Sequence, residues 1–268
     1  MKMDNKRPID IIQYKDWLKK EHGISITERI KNYYESVAKK IHSDFKKSDF
    51  WLSLTNNLNI IQQEYVLEKK YELFIGDTNT DLYIKPFDSY LLKTYRRNVV
   101  DNKSWPDPPR EGWILPNINF SEINDIIRTC FIVKYLDGVT FLVDKIQILC
   151  EESKLEYSVD YEAKEEGYYA AHNYVTFPCE IPGEDWDTTN IKILIELQVT
   201  TQLQEVIRKL LHKYYEDRRK SLVKSEIKWQ WDYKNNEFAT NYLGHILHYI
   251  EGMIMDVRDK QEESNYGK

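Results

Sequence analysis

Residues 191–199, IKILIELQV, alternate in a way that only a strand satisfies. Ile191, Ile193, Ile195, Leu197 and Val199 fall on one side, and Lys192, Leu194, Glu196 and Gln198 on the other, because successive strand side chains point to opposite faces. Such an apolar face requires a covering layer. DIIRTCFIV (125–133) is rich in β-branched and apolar residues and predicts a buried strand. HNYVTF (172–177) predicts another.

Helical patterns lie between and around these runs. In TERIKNYYESVAKKIHSDF, Ile30, Tyr33, Tyr34, Val37 and Ile41 recur at helical spacing behind Thr27, a suitable N-cap. Two or three helices are expected over 9–75. Further helices are expected from Pro86, a residue suited to a first helical position, across VTFLVDKIQILCEES, and over 201–224 and 237–263. Strands interspersed with helices predict an α/β (α+β) chain with a mixed sheet. The expected organisation is a helical N-terminal extension (1–75), a core (76–201) and C-terminal helices packed on it (202–268).

Composition narrows the setting. The net charge of −6 argues against a general nucleic-acid coat. Cys130, Cys150 and Cys179 form no CxxC pair, which fits a reducing cytoplasm. No apolar run has the length of a bilayer span, so no membrane partner is expected. MKMDNKRPIDII lacks the apolar centre of a signal peptide. WPDPPREGWILP (105–116) holds four of the eight prolines and predicts a structured loop.

Two acids are unusually placed. Glu196 lies inside a strand that otherwise suits a core, and Asp125 opens a buried strand. Each is either a strand-edge acid paired with Lys or Arg, or a ligand for a divalent cation holding a polyphosphate. Lys85, Ser89 and Lys93 are spaced by four. On a helix each step of four turns a side chain by only ~40°, so all three would share a face. That face is either a solvated basic stripe or a phosphate site near a helix N-terminus. DYEAKEEGYYAAH (160–172) has no strand alternation and predicts a loop carrying adjacent tyrosines.

Taken in order, these pieces resemble the synthetase domain of the RelA/SpoT family, including its small alarmone synthetases and their toxic, tRNA-modifying kind. The family's donor segment reads R-x-K-x-x-x-S-x-x-x-K, and YIKPFDSYLLK supplies Lys85, Ser89 and Lys93. Its strand-opening aspartate corresponds to Asp125 in NDIIRTCFIV. Its lysine-ended guanine loop and G-Y-x-S-x-H correspond to Lys164, Gly167, Tyr168 and His172. Its E-I-Q-I-R-T strand corresponds to Glu196, Gln198 and Thr201. The pieces keep the family's order over residues 83–201.

The resemblance implies a nucleotidyltransferase-like synthetase fold and transfer of pyrophosphate from ATP to a ribose 3′-hydroxyl. It implies Mg²⁺ on Asp125 and Glu196, with Glu196 or Gln198 orienting or deprotonating the hydroxyl. ATP would meet Lys85, Ser89 and Lys93, and the acceptor would meet Lys164, Tyr168 and His172. Tyr168 would stack on the acceptor base, or else serve as a half-buried loop anchor. The chain departs from the pattern at Tyr83, Arg128, Cys130, Ala170 and Thr200, which leaves the acceptor open. The terminal adenosine of tRNA is slightly preferred. That choice rests on these departures and on the compact single-domain size, against which the acidic net charge counts; it takes Arg218, Arg219 and Lys220 in the basic segment 208–228 as the candidate RNA face and adds an antitoxin protein as a partner. GDP or GTP, giving a (p)ppGpp-type alarmone, is the alternative, and an idle nucleotide-binding module is the third. The N-terminal region carries no hydrolase metal motif, so synthesis without hydrolysis is expected. HxxHxxE at His245, His248 and Glu251 lies beside an apolar stripe (Leu243, Ile246, Leu247, Ile250, Met253, Ile254) and predicts a core helix with polar flanks.

Overall fold

Asp10 and Gly23 mark the ends of the first helix, α1 (Ile11–His22), by local chemistry alone. The Asp10 carboxylate accepts from the Gln13 amide at 2.7 Å, and Gly23 takes a left-handed φ of 69° to close the C-terminus. This computed structural model describes residues 6–76, 78, 81–117, 119–182, 187–210 and 228–266. The N-terminal helices continue with α2 (Glu28–Lys46) and α3 (Asp49–Lys69). Thr27 stands at the N-cap of α2 in extended backbone, although its side chain makes no capping bond.

Then follow β1 (Tyr83–Ile84), α4 (Phe87–Tyr95), β2 (Ile127–Val133), α5 (Leu136–Glu152), β3 (Glu156–Ala163), β4 (Tyr169–Pro182) and β5 (Thr188–Thr201). A helix described over 202–210 (α6) and α7 (Asn236–Tyr266) complete the order. The strands pair in the order β1-β2-β5-β4-β3. The apolar face of IKILIELQV is core as expected, with Ile193, Ile195, Leu197 and Val199 all 0% exposed. Truncating Ile193, Ile195 or Leu197 to alanine is expected to cost about 2–5 kcal/mol.

The chain forms two compact units. The first comprises Met1–Ser48, Leu82–Arg128 and Thr176–Glu196, and the second Asp49–Asp81, Thr129–Val175 and Leu197–Lys268. In the first, α2 buries Tyr34, Val37, Ile41 and Phe45 at helical spacing, and Tyr34 stacks on Tyr90 of α4 at 4.4 Å. The proline-rich loop is held by carboxamides. Asn98 exchanges two hydrogen bonds with the backbone of Ile114, and Asn102 donates to the Asp107 carbonyl while accepting from the Ser104 amide. Trp105 and Trp113 of this loop pack on Trp17 at 5.5 and 4.9 Å.

In the second unit, Arg258 of α7 is buried. It pairs with Asp137 and donates to the Tyr65 hydroxyl, while Tyr65 itself bonds Asp137 at 2.8 Å.

Two expectations are corrected here. DYEAKEEGYYAAH is not a loop. Its first four residues end β3, its last four begin β4, and only residues 164–168 turn. The alternation is hidden because the start of β4 is buried on both faces, with Ala170, Ala171, His172 and Asn173 all buried in succession. The helix α7 has its faces reversed: Leu243, Ile246, Ile250, Met253 and Ile254 are exposed, while Asn241, Glu251 and Arg258 are buried.

Candidate active site

β1 and the residue after it are joined to the start of β2 and the turn before it by a short antiparallel ladder within the first unit. Tyr83 pairs with Arg128 and Ile84 with Ile127, and the Lys85 amide donates to the Ile126 carbonyl at 2.8 Å. One residue further, Lys85 lies beside Asp125. Pro86 then takes φ −60° and ψ 146° as the N-cap of α4, so the helix starts at Phe87, one residue after the expected position.

Lys85 is therefore not on the helix with Ser89 and Lys93, and the single-face expectation is corrected. It converges with Lys93 by another route. Lys85 Nζ is 2.8 Å from one oxygen of Asp125, and Lys93 Nζ is 2.8 Å from the other. Ser89, one turn before Lys93, is exposed. Asp125 sits in a turn two residues before β2 rather than on the strand.

Burial opposes ionisation of Asp125, but the two ammoniums outweigh it and hold the carboxyl at about 2. Burial lowers the Lys85 pKa. Asp125 works against that shift, while Lys93 and Arg128 add to it. Two ammoniums on one carboxylate leave a local charge of +1, which suits a polyphosphate with its charge-assisted hydrogen bonds.

α2 braces this arrangement. The buried Tyr34 hydroxyl donates to the Lys85 carbonyl at 2.7 Å. Burial, helped by the Asp125 charge, raises the pKa of that hydroxyl and keeps it a donor. The sequence marks Tyr34 only as a helix-core residue, and nothing in its spacing points to Lys85. A cavity of about 300 Å³ adjoins Lys85, lined also by Lys31, Tyr34, Glu35, Lys39 and Ile84. Glu196 lies on β5 at 4% exposure, a carboxylate in a core strand as expected. No group of three or more His, Cys, Asp or Glu among the described residues forms a metal cage. A Mg²⁺ carried on nucleotide phosphates would need only one or two carboxylates; the resemblance assigns it Asp125, which here is held by Lys85 and Lys93, and Glu196.

The second constellation belongs to the other unit. Lys164, Tyr168 and His172 gather around Glu162 of β3. The Tyr168 hydroxyl is 3.0 Å from His172 Nε2, and Lys164 Nζ stands 5.5 Å over the Tyr168 ring. Glu162 lies 2.7 Å from Lys164 and 3.4 Å from His172. His172 is on β4 and only 6% exposed.

One contributor was not found from sequence: Glu162 was lost among the acids of its segment. Arg208 of α6, the first residue of the basic segment 208–228, is held by Glu205 at 2.6 and 2.8 Å. Gln198 is half-buried on β5. Arg218, Arg219 and Lys220 fall outside the described residues. Among the described residues no helix is long and apolar enough to cross a membrane.

No protein-family model matches the sequence, and no curated protein is similar to it by sequence. Solved structures are similar in fold. Small alarmone synthetase 2 from Bacillus subtilis aligns with a TM-score of 0.50 at 18% identity, over 79% of this chain and 94% of the other. Small alarmone synthetase 1 from Bacillus subtilis aligns at 0.52 and 13%, over 88% and 97%. The same synthetase bound to its product pppGpp aligns at 0.52 and 14%, again over 88% and 97%. The five-stranded sheet with its flanking helices is thus the fold of the small alarmone synthetases, the fold implied by the RelA/SpoT resemblance.

Proposed function

We propose that this protein is an ATP-dependent pyrophosphokinase that transfers pyrophosphate to a ribose 3′-hydroxyl. The observation that carries the proposal is the convergence of Lys85 and Lys93 on Asp125 in a chain of alarmone-synthetase fold. Phosphoryl-type transfer needs alignment and charge neutralisation more than covalent chemistry from the protein. In this reading the Lys85 and Lys93 ammoniums neutralise the ATP phosphates, and Ser89 adds a hydroxyl. Asp125 and Glu196 would hold Mg²⁺, which when bound supplies further neutralisation of phosphate charge. Lys164 and Tyr168 hold the acceptor, with Tyr168 offering its ring to the base. His172, bonded to the Tyr168 hydroxyl, fixes the ring's orientation. Glu196 or Gln198 orients the attacking hydroxyl.

For the acceptor, a guanosine nucleotide is favoured over the tRNA end preferred from sequence. A synthetase of the same fold is solved bound to its product pppGpp. The test is to incubate the protein with ATP labelled at the γ-phosphate, first with GDP or GTP and then with deacylated tRNA. Label on the guanosine nucleotide, abolished by Asp125→Ala, is the expected result. Label on tRNA, lost when Arg218, Arg219 and Lys220 are neutralised or salt is raised, would restore the toxin reading and its antitoxin partner. Label on neither, with the fold intact, leaves an idle nucleotide-binding module.

A further inference from the structure

The face of α7 that packs inward meets the β3–β4 turn, and it does so through backbone. The turn closes with the Gly167 amide on the Lys164 carbonyl at 2.9 Å and the Lys164 amide on the Tyr168 carbonyl at 3.0 Å. Gly167 has a φ of 75°. A Cβ on Gly244 would stand 2.3 Å from the Gly167 carbonyl oxygen, and a Cβ on Gly167 would stand 2.4 Å from the Asn241 carbonyl oxygen. Neither residue has room for a side chain, so the turn rests directly on the helix.

His245 secures the same contact on both sides of Tyr168. Its Nε2 is 2.8 Å from the Glu165 carbonyl oxygen, and its Nδ1 is 2.7 Å from the Tyr169 hydroxyl. A carbonyl oxygen only accepts, so Nε2 carries the hydrogen, and in the neutral ring Nδ1 accepts from Tyr169. Tyr169 in turn lies flat on His248, with ring centroids 3.7 Å apart and planes within 8°. Thr200 Oγ1 donates to the Tyr169 carbonyl at 3.0 Å. Glu165, Gly167 and Tyr169 are therefore all fixed by α7 or β5, and Tyr168 is carried between them.

We infer that His245 is a positioning residue for the acceptor, acting through the turn that presents Tyr168. This rests on the reading of Tyr168 as an acceptor-binding ring. A side chain that must stack on a base gains from being held in place before the base arrives, because ordering it on binding weakens affinity. His245 touches no expected substrate atom, so its removal should alter acceptor binding and leave the use of ATP alone.

The experiment compares His245→Ala, His245→Gln, Tyr169→Phe and Tyr168→Ala with the parent protein. Gln can donate toward Glu165 from the Nε2 position but cannot at the same time place an acceptor at the Nδ1 position for Tyr169. Two quantities are measured: amide hydrogen exchange across 164–169, and steady-state KM for GDP and for ATP, with deacylated tRNA replacing GDP if that is the acceptor labelled. His245→Ala is expected to speed exchange in the turn and raise acceptor KM about tenfold, with ATP KM changed less than about twofold. His245→Gln and Tyr169→Phe should fall between His245→Ala and the parent.

Unchanged exchange in the turn overturns the inference. So does faster exchange with unchanged acceptor KM, when Tyr168→Ala raises that KM. If Tyr168→Ala itself leaves acceptor KM unchanged, the underlying reading of Tyr168 fails instead, and the inference fails with it. His245→Gln and Tyr169→Phe keep the test open should His245→Ala fold poorly.

Discussion

Lys85 and Asp125 are 40 residues apart in sequence and form a 2.8 Å ion pair with both side chains largely buried, at 12% and 14% exposure. The pair exists because a two-residue strand delivers the lysine to the turn before β2. Replacing Lys85 with alanine removes one of two charges facing the proposed donor phosphates. A loss of about a hundredfold in kcat/KM for ATP is expected, in the range seen when one stabilising donor is removed from an active site. Unchanged kinetics would make the cluster purely structural.

The same cluster gives the protein an acid-sensitive component of stability. Asp125 titrates at about 2, below an ordinary carboxyl, because Lys85 and Lys93 outweigh the effect of burial. A depressed carboxyl contributes stability above its unfolded value, near 4, and loses it as pH falls through 2. The contribution at neutral pH is about 2 kcal/mol. Urea unfolding of the parent should show a falling midpoint between roughly pH 4 and 2. Asp125→Asn should show a shallower fall over that window.

Tyr34→Phe separates the brace from the packing. The ring stack on Tyr90 at 4.4 Å is kept, while the Lys85 carbonyl loses its hydroxyl donor. Destabilisation of about 1–2 kcal/mol is expected, with a rise in KM for ATP. Thermal unfolding and ATP kinetics on one preparation check both.

Glu251 has the opposite sign. Burial raises its pKa, only partly offset by the Thr201 hydroxyl and by His248, whose Nδ1 lies 3.5 Å from Glu251 Oε2. A carboxyl raised in the folded state favours folding at low pH and loses that contribution as pH rises through its folded value. Above that folded value the buried charge is a cost. Glu251→Gln should match or exceed the parent in Tm on the alkaline side, and the difference should shrink as pH falls. A large loss of Tm on the alkaline side would mean that the charge itself holds α7.

Two glycines offer a matched pair for stability. A Cβ on Gly138 would meet Leu73 Cδ1 at 2.9 Å and Val133 Cβ at 3.2 Å, whereas a Cβ on Gly252 would meet nothing within 4 Å. Gly138→Ala is expected to cost about 1–3 kcal/mol by overpacking. Gly252→Ala, within helix α7, is expected to add about 0.5–1 kcal/mol. Denaturant midpoints of the two variants should move in opposite directions.

Where a pattern reports one buried face against one solvated face, sequence was sufficient. The alternation of 191–199 and the spacing of Tyr34, Val37 and Ile41 both identified their elements and their buried sides, because water is the same reference for every such surface. The order of Lys85, Lys93, Asp125, Lys164, Tyr168, His172 and Glu196 was also legible, since it is written in residue type and spacing. Tertiary structure decided what those residues touch. Lys85 left the helix that its spacing implied, and a ladder bond to Ile126 brought it to Asp125 instead. Residues 160–172 became a hairpin whose second strand is buried on both faces, with Glu162 of the first strand 3.4 Å from His172 of the second. In α7 the periodicity separated two faces correctly, yet the polar one went inward, where Gly167, Tyr169, Thr201, Tyr65 and Asp137 offer it hydrogen bonds and contact. A single chain shows how polar each face is, but which face is buried depends on the surface it meets, and that surface is assembled only by folding.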